Sequence, residues 1–485
     1  MALIPFSEYR PDMPALGQWS REALNVIPLE ESYGPLPSLS AISDALASAC
    51  RGAGWFRAPA NVVRTFAATE TAIYELSGTS WTDATRTSGG AYAAGPDGQW
   101  RFAQFGTLGI AVNGVDSPQK FDLASGSNWT ALGGTPPVGT YVAAVRDFLV
   151  MGRIGSTPMR VQWSGLNAAE TWGSVASAQA DYQDLPDGGN VTGLAGGEIG
   201  VILQESAVRR MSYEGSPVVF RIDKVASDIG ATIPGSVASV LDMVFFAHKS
   251  GFYMVQGGQN VVPIGRGKVD RTFWAEFNEN YQFQCSATID PVRGLYVFAY
   301  PVSGDTLPSR LLIYNWRTQR WSRAQVTTEL VFGGVSQQGF TLEGLDAVGI
   351  LDTLPYSLDS AYWTGTVSMR LHAFDSSHQM GAFSGSALAA TVETAEFQPA
   401  PGRRAVVRGI RPMVDGGSPT VALGVRETQQ GTVTYGTAAS LTGAGMAPVL
   451  GSGRYFRAKV TVPAASTWSN ALGVDDLEFR TAGRQ

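Results

Sequence analysis

From about residue 62 to residue 326 the chain reads as short apolar runs separated by Gly, Asp, Ser or Pro turns, with almost no window of helical period. The most apolar runs are AIYELS (72–77), GIAVN (109–113), DFLVMG (147–152), GVILQ (200–204), MVFFA (243–247) and LYVFAY (295–300). Taking Ile73, Ile110, Phe148, Val201, Val244 and Tyr296 as markers, the spacings are 37, 38, 53, 43 and 52 residues, near the period of a propeller blade. Each run sits in a similar unit: a preceding strand, a turn, the run itself, a hairpin, and an outer strand that often carries Trp. The run is apolar on both faces, as an inner strand sandwiched between neighbouring sheets would be, whereas the outer strands alternate. The pattern predicts an all-β fold: a β-propeller of about six blades over 62–360. Residues 330–360 form either a further blade or the strand that closes the ring. A two-sheet sandwich would not need a repeated unit of this length.

The flanks read differently. Residues 1–61 are rich in proline (Pro5, Pro11, Pro14, Pro28, Pro35, Pro37, Pro59) and predict an extended arm that lies on other parts of the fold or on a neighbouring subunit. One helix is expected over 38–53, with Ser40 as its cap. Beyond Ala361 the periodicity stops and longer runs appear, among them AVVRGIRPMVDG and RYFRAKVTVP. These predict a C-terminal antiparallel β domain over 361–485.

Composition sharpens this. Glycine is 57 of 485 residues, about 12% against roughly 7% in average usage, in keeping with many tight turns. No run of 18 uncharged apolar residues occurs, and the opening MALIPFSEYRPDM lacks the basic and apolar segments of a signal peptide, so neither a membrane anchor nor classical secretion is expected. Two cysteines, Cys50 and Cys285, cannot form a disulfide framework for this length, which suits assembly in a reducing cytoplasm. Net charge is −6, which disfavours a protein that grips nucleic acid through its phosphates. Residues 401–485 hold nine Arg and one Lys against three Asp and two Glu, a net of +5 that leaves −11 for the rest. The C-terminal end is therefore electrostatically distinct.

Catalytic chemistry is sparse. Only His248, His372 and His378 are present, no G-x-S-x-G elbow occurs, and the six-residue spacing of the last two histidines fits no zinc motif. All three are expected to be structural. Gly265-Arg266-Gly267-Lys268 resembles only the end of a phosphate loop, and GLAGGEIG (193–200) fails the dinucleotide spacing. DLPDGGN (184–190) could hold Ca²⁺, but Asx turns explain it better. In YNWRTQRWSR (314–323) the rings are expected to pack in the core while the arginines face water. No catalytic residue, cofactor or metal is assigned.

Several phrases resemble the tail nozzle proteins of short-tailed bacteriophages, also called packaged-DNA stabilisation proteins. They are IPFSEYRPD, ALNVIPLEESYGPLPSLS, WRFAQFGTLGIAVNGVDSPQKFDL, RVQWSGLNAAETW, DYQDLPDGGNVTGLAGGE, PIGRGKVDRTFW, GRRAVVRGIRPMVDG and SGRYFRAKVTVPAASTWSNALGVDDLEF. The resemblance runs over nearly the whole length. It implies a homohexameric ring at the distal end of a virion tail, assembled in the host cytoplasm. The ring would dock on the tail adaptor, carry fibres or spikes, retain packaged double-stranded DNA, and conduct it without sequence-specific binding. An acidic wall would let DNA slide, because phosphates find no cations to exchange for counterions. Arg403, Arg404, Arg408 and Arg411 then become candidates for the contact between rings. The competing readings are a receptor-binding adhesin and a polysaccharide-degrading propeller enzyme, the latter needing a paired carboxylate in an aromatic pocket.

Overall fold

The computed structural model describes residues 3–15, 17–59, 62–335 and 369–482. It is all-β and built largely from four-stranded antiparallel sheets in a propeller-like arrangement. The first sheet comprises Gly52–Arg57, Val63–Ala68, Ile73–Ser77 and Ser80–Asp83, and the second Arg101–Phe105, Leu108–Val112, Gln119–Asp122 and Thr130–Ala131. The third runs Gly139–Val145, Phe148–Ile154, Thr157–Trp163 and Asp181–Asp184, and the fourth Val191–Ala195, Gly200–Gln204, Ala207–Gly215 and Val219–Ser227. The fifth is Ile233–Val240, Met243–His248, Gly251–Gln256 and Asn260–Pro263. A sixth meander, Ser286–Asp290, Leu295–Tyr300, Arg310–Asn315 and Arg320–Ala324, opens a ten-stranded sheet.

The seventh sheet has an unusual makeup. Leu330–Val335, Met369–Phe374 and Gln379–Ala387 supply three strands, and the fourth is Pro37–Ala45 from the start of the chain. First strands of successive sheets adjoin in order, and Leu330–Val335 lies against both Ser286–Asp290 and Gly52–Arg57.

Strand periodicity explains the doubly apolar runs. Successive side chains point to opposite faces, so Leu149 and Met151 pack toward Ile110 and Val112 of the second sheet while Phe148 and Val150 pack toward Val191 and Ile202 of the fourth. Val244 and Phe246 likewise meet Val201 and Leu203, whereas Phe245 meets Tyr296 on the other side. A separate apolar layer fills every interval between neighbouring sheets, including seventh against first, where Leu330 and Phe332 meet Ala67. Between the first two sheets the layer is aromatic: the Phe66 ring lies 4.8 Å from Phe121 and 5.3 Å from Trp129.

Several expectations are corrected. Five of the six marker runs fall on second strands, but Ile73 falls on a third, because the true second strand of that unit is Val63–Ala68. Among the described residues six sheets have four strands, and one further four-strand meander opens the ten-stranded sheet. Positions 61, 336–360 and 361 lie outside the described residues, yet strands pair across both expected boundaries: Gly52–Arg57 with Val63–Ala68, and Leu330–Val335 with Met369–Phe374. The helix expected over 38–53 is instead the strand Pro37–Ala45, largely exposed. Its modest helical propensity yields to the ladder offered by the free edge of Gln379–Ala387.

The arm is woven into its own chain. Ile4–Pro5 and Tyr33–Pro35 pair with Ala471–Ala482, and Ala23–Leu24 joins Arg320–Ala324 to Ala390–Glu393. The C-terminal strands thus form a second sheet layer that shares one core with the fifth and sixth units, Ala405, Val407, Val421, Phe456, Phe298 and Tyr314 among its members. Arg320, expected to face water, is buried; its guanidinium donates to the carbonyls of Leu29, Glu30 and Phe6 and lies 4.6 Å from the Tyr33 ring centroid. The short helix α1 (Asp270–Glu276) has no side-chain cap of its own. Asp12 supplies one from the arm, accepting from the Arg271 and Thr272 amides at 2.7 and 2.8 Å.

Two predictions follow from this weave. A Cβ on Gly381 would stand 2.7 Å from Leu39 Cγ and 2.9 Å from the Ser40 carbonyl oxygen. Gly381→Val is expected to cost about 1–3 kcal/mol, measured by denaturant unfolding, and to increase proteolysis within 37–45. Asp270, beside Gly251 and Gly265, has its carboxyl pushed up to about 7, chiefly by burial and further by Asp12, against one amide bond from Phe252 that lowers it. A raised carboxyl makes the folded state bind the proton more tightly, so stability is greatest below the ordinary value near ~4 and declines as pH rises toward 7. Asp270→Asn is expected to flatten that slope, gaining on the order of 2 kcal/mol at pH 8 and little at pH 4.

Candidate functional site

The four arginines singled out by sequence lie on or beside Arg404–Val414, an eleven-residue strand in the six-stranded sheet with Ala471–Ala482 and Gly451–Gly453. Alternation buries Ala405 and Val407 and turns Arg404, Val406 and Arg408 outward. A register shift between Val407 and Gly409 then brings Gly409 and Ile410 into the interior and carries Arg411 back toward the surface. Arg480 stands opposite Val406, between the flanking Arg404 and Arg408 positions of the same face.

These cations are not equivalent. Arg404 pairs with Glu427 at 2.6 Å and Arg411 with Asp476 at 3.0 Å. Arg403, Arg408 and Arg480 have no carboxylate within 4 Å among the described residues, and all three are exposed. The strand therefore presents a free trio rather than the four-residue cluster read from sequence. Arg480, which sequence reasoning left out, is detectable only through the pairing register.

The net of +5 beyond residue 400 also overstates the surface charge. Arg426 and Arg457 are buried, and their partners Glu393 and Glu396 lie just before the dividing line. Arg426 meets Glu396 at 2.7 Å with both side chains 5% exposed, and Arg457 reaches Glu393 and Glu396 at 3.7 and 3.6 Å. Tyr435 donates to Glu393 Oε1, and burial together with that carboxylate pushes its hydroxyl pKa upward. This network holds the extended sheet together.

The other sequence candidates have structural surroundings. His372 is buried against the Phe332 ring, His378 Nδ1 lies 2.5 Å from Glu329, and His248 bonds to Ser250. In the 184–190 turn Asp184 forms a two-point pair with Arg160, while Asp187 is held by Arg209 and Lys224. Those carboxylates are engaged by cations. No group of three His, Cys, Asp or Glu suited to a metal occurs among the described residues. Tyr314 and Trp321 are buried, with ring centroids 4.7 Å apart, as expected of core aromatics. No helix among the described residues is long and apolar enough to cross a membrane.

No family model matches the chain, and no curated protein matches it. Among solved structures it is similar to the computationally designed Ika8 protein, with 9% identity and a TM-score of 0.37 over 72% of this chain and 99% of that one. It is also similar to a chain of a mitotic checkpoint complex, with 10% identity and a TM-score of 0.35 over 73% of this chain and 97% of that one. At these scores neither likeness bears on function.

Removing one member of a buried ion pair leaves an uncompensated charge. Glu396→Ala is therefore expected to destabilise by about 3–5 kcal/mol in denaturant unfolding, against at most about 1 kcal/mol for Glu427→Ala at the exposed Arg404 pair.

Proposed function

We propose that this chain is a structural subunit of a bacteriophage tail nozzle, a seven-bladed β-propeller with a C-terminal β platform. In this reading six copies form a ring that closes the tail, retains packaged DNA and conducts it at ejection. The observation that carries it is the order of parts on which the sequence resemblance rests: arm, ring of sheets, and C-terminal sheets with a basic outer strand. Three features support that order. Apolar layers lie between successive sheets, in keeping with a propeller-like arrangement. The arm fastens the platform to the ring through Arg320, so the two would move as one body under load. Arg403, Arg408 and Arg480 remain free to meet an acidic surface of the adaptor, and free surface cations are suited to rate and register of docking rather than to fold stability.

The chain acts here without turnover of a substrate, and fibres or spikes attach to its outer surfaces. Native mass spectrometry and negative-stain imaging of the full chain are expected to show a sixfold ring, with the protein located at the distal end of tail particles. Reversal of Arg403, Arg408 and Arg480 to Glu is expected to weaken capture by the adaptor at least tenfold while the melting temperature stays unchanged. A chain that remains monomeric at every concentration and is absent from tail particles would sink the proposal.

A further inference from the structure

Where the first strands begin, the second to fifth sheets surround a cavity of about 360 Å³. This is the size range of pockets that take small ligands. Most of its accessible lining is apolar, and the polar groups set into it are poorly satisfied from within the protein. Arg101 opens its strand there, and its guanidinium donates to Gln99 Oε1 at 2.6 Å but meets no carboxylate within 4 Å among the described residues. The side chain is half-buried, and that burial lowers its pKa. The arginines that are buried outright are compensated: Arg209, Arg426 and Arg457 by carboxylates, Arg320 by three carbonyls.

A second guanidinium comes from the next sheet. Arg153 sits where the ladder shifts register between Gly152 and Ile154, with a left-handed backbone at φ 54°. Such a conformation is costly for a residue with a side chain, and bulges of this kind re-aim one. Arg153 lines the same cavity and likewise has no carboxylate partner. Between the two cations stands Tyr141, 8% exposed, whose hydroxyl makes no hydrogen bond among the described residues. Burial raises its pKa and both arginines pull it back, so near neutral pH the hydroxyl keeps its proton and can donate. Thr192 and Thr232 also line the cavity, but their hydroxyl oxygens are buried away from it and have no partner. Asp97 and Glu205 also line the cavity, but both are exposed and Glu205 accepts from Asn190 at 2.9 Å. They make the rim unfriendly to multiply charged anions.

We propose that this cavity binds a hydroxylated monocarboxylate about the size of one sugar ring, with Arg101 and Arg153 on the carboxylate and Tyr141 donating to its hydroxyls. Guanidinium forks suit planar carboxylates, and the tyrosine hydroxyl supplies neutral recognition. The inference stands independently of the nozzle reading.

Calorimetric titration of the full chain with sodium glucuronate, glucose and inorganic phosphate tests it. Saturable glucuronate binding is expected, at least tenfold tighter than glucose or phosphate. Arg153→Gln and Arg101→Met are each expected to weaken it tenfold or more and to abolish the rise in melting temperature that glucuronate gives the parent. Ligand-free Arg101→Met is expected to melt no lower than the parent, which a merely structural arginine would not allow; if that variant fails to fold, the proposal is overturned for Arg101, and Arg153→Gln decides the site. No glucuronate binding at millimolar concentration, undiminished binding in Arg153→Gln, or equal binding of phosphate would overturn it.

Discussion

The fold depends on a strand borrowed across almost the whole chain. The described residues between Leu330 and Ala387 supply three strands of the seventh sheet, and the edge of Gln379–Ala387 would otherwise present a row of unpaired amides and carbonyls. Such an edge invites foreign pairing. Pro37–Ala45 fills it, with Ala382 opposite Ser40 and Phe383 opposite Leu39. Because that strand leads directly into Gly52–Arg57 of the first sheet, the last sheet and the first are tied by the backbone itself. Gly381 and Gly385 are needed there for a steric reason: a Cβ at either would run into Leu39 or Ser38. The entropic cost of joining segments more than 300 residues apart grows only slowly with loop length, so one good ladder and the packed layer beneath it can hold the join.

The same return of the chain explains why arm, ring and platform are not separable units. Once Pro37–Ala45 is placed, the residues before it must run over the sixth meander, and there they become strands. Ala23–Leu24 lies parallel to Arg320–Ala324 and antiparallel to Ala390–Glu393, converting a four-stranded meander into the root of a ten-stranded sheet. Arg320 then satisfies carbonyls of the crossing arm that burial would otherwise leave without donors. Asp12 does the converse for the free amides at the start of α1.

What sequence could reveal follows from these facts. Runs such as FLVMG and MVFFA were legible because a strand between two neighbours must be apolar on both faces, whatever its partners. The seventh sheet was not, because its fourth strand lies some 300 residues before the other three and no local pattern records that. Residues 38–53 misled for a related reason: an exposed edge strand carries little alternation, and Ala and Ser there favour neither state strongly. Arg320 misled because an arginine between two aromatics reads the same whether water or carbonyl oxygens surround it. At the basic strand, composition located the region but could not tell paired Arg404 and Arg411 from free Arg403 and Arg408. Arg101 and Arg153 left no signal, since each is one polar residue in an ordinary strand until four sheets bring their first strands together.

Arginines without a carboxylate partner therefore mean different things on the outer strand and in the cavity. On the outer strand, Arg403, Arg408 and Arg480 are hydrated, so leaving them without partners costs little and their arrangement is weakly constrained by folding. In the cavity the same absence works against stability, because a half-buried guanidinium finds no anion and a left-handed bulge is needed to present the second one. Two arginines without a carboxylate and a tyrosine hydroxyl without a partner, gathered at one cavity, mark it as a place where polar capacity is held for something outside the chain. The exposed trio requires a partner only if the ring is built into a larger assembly, whereas the cavity's imbalance is a property of the single subunit.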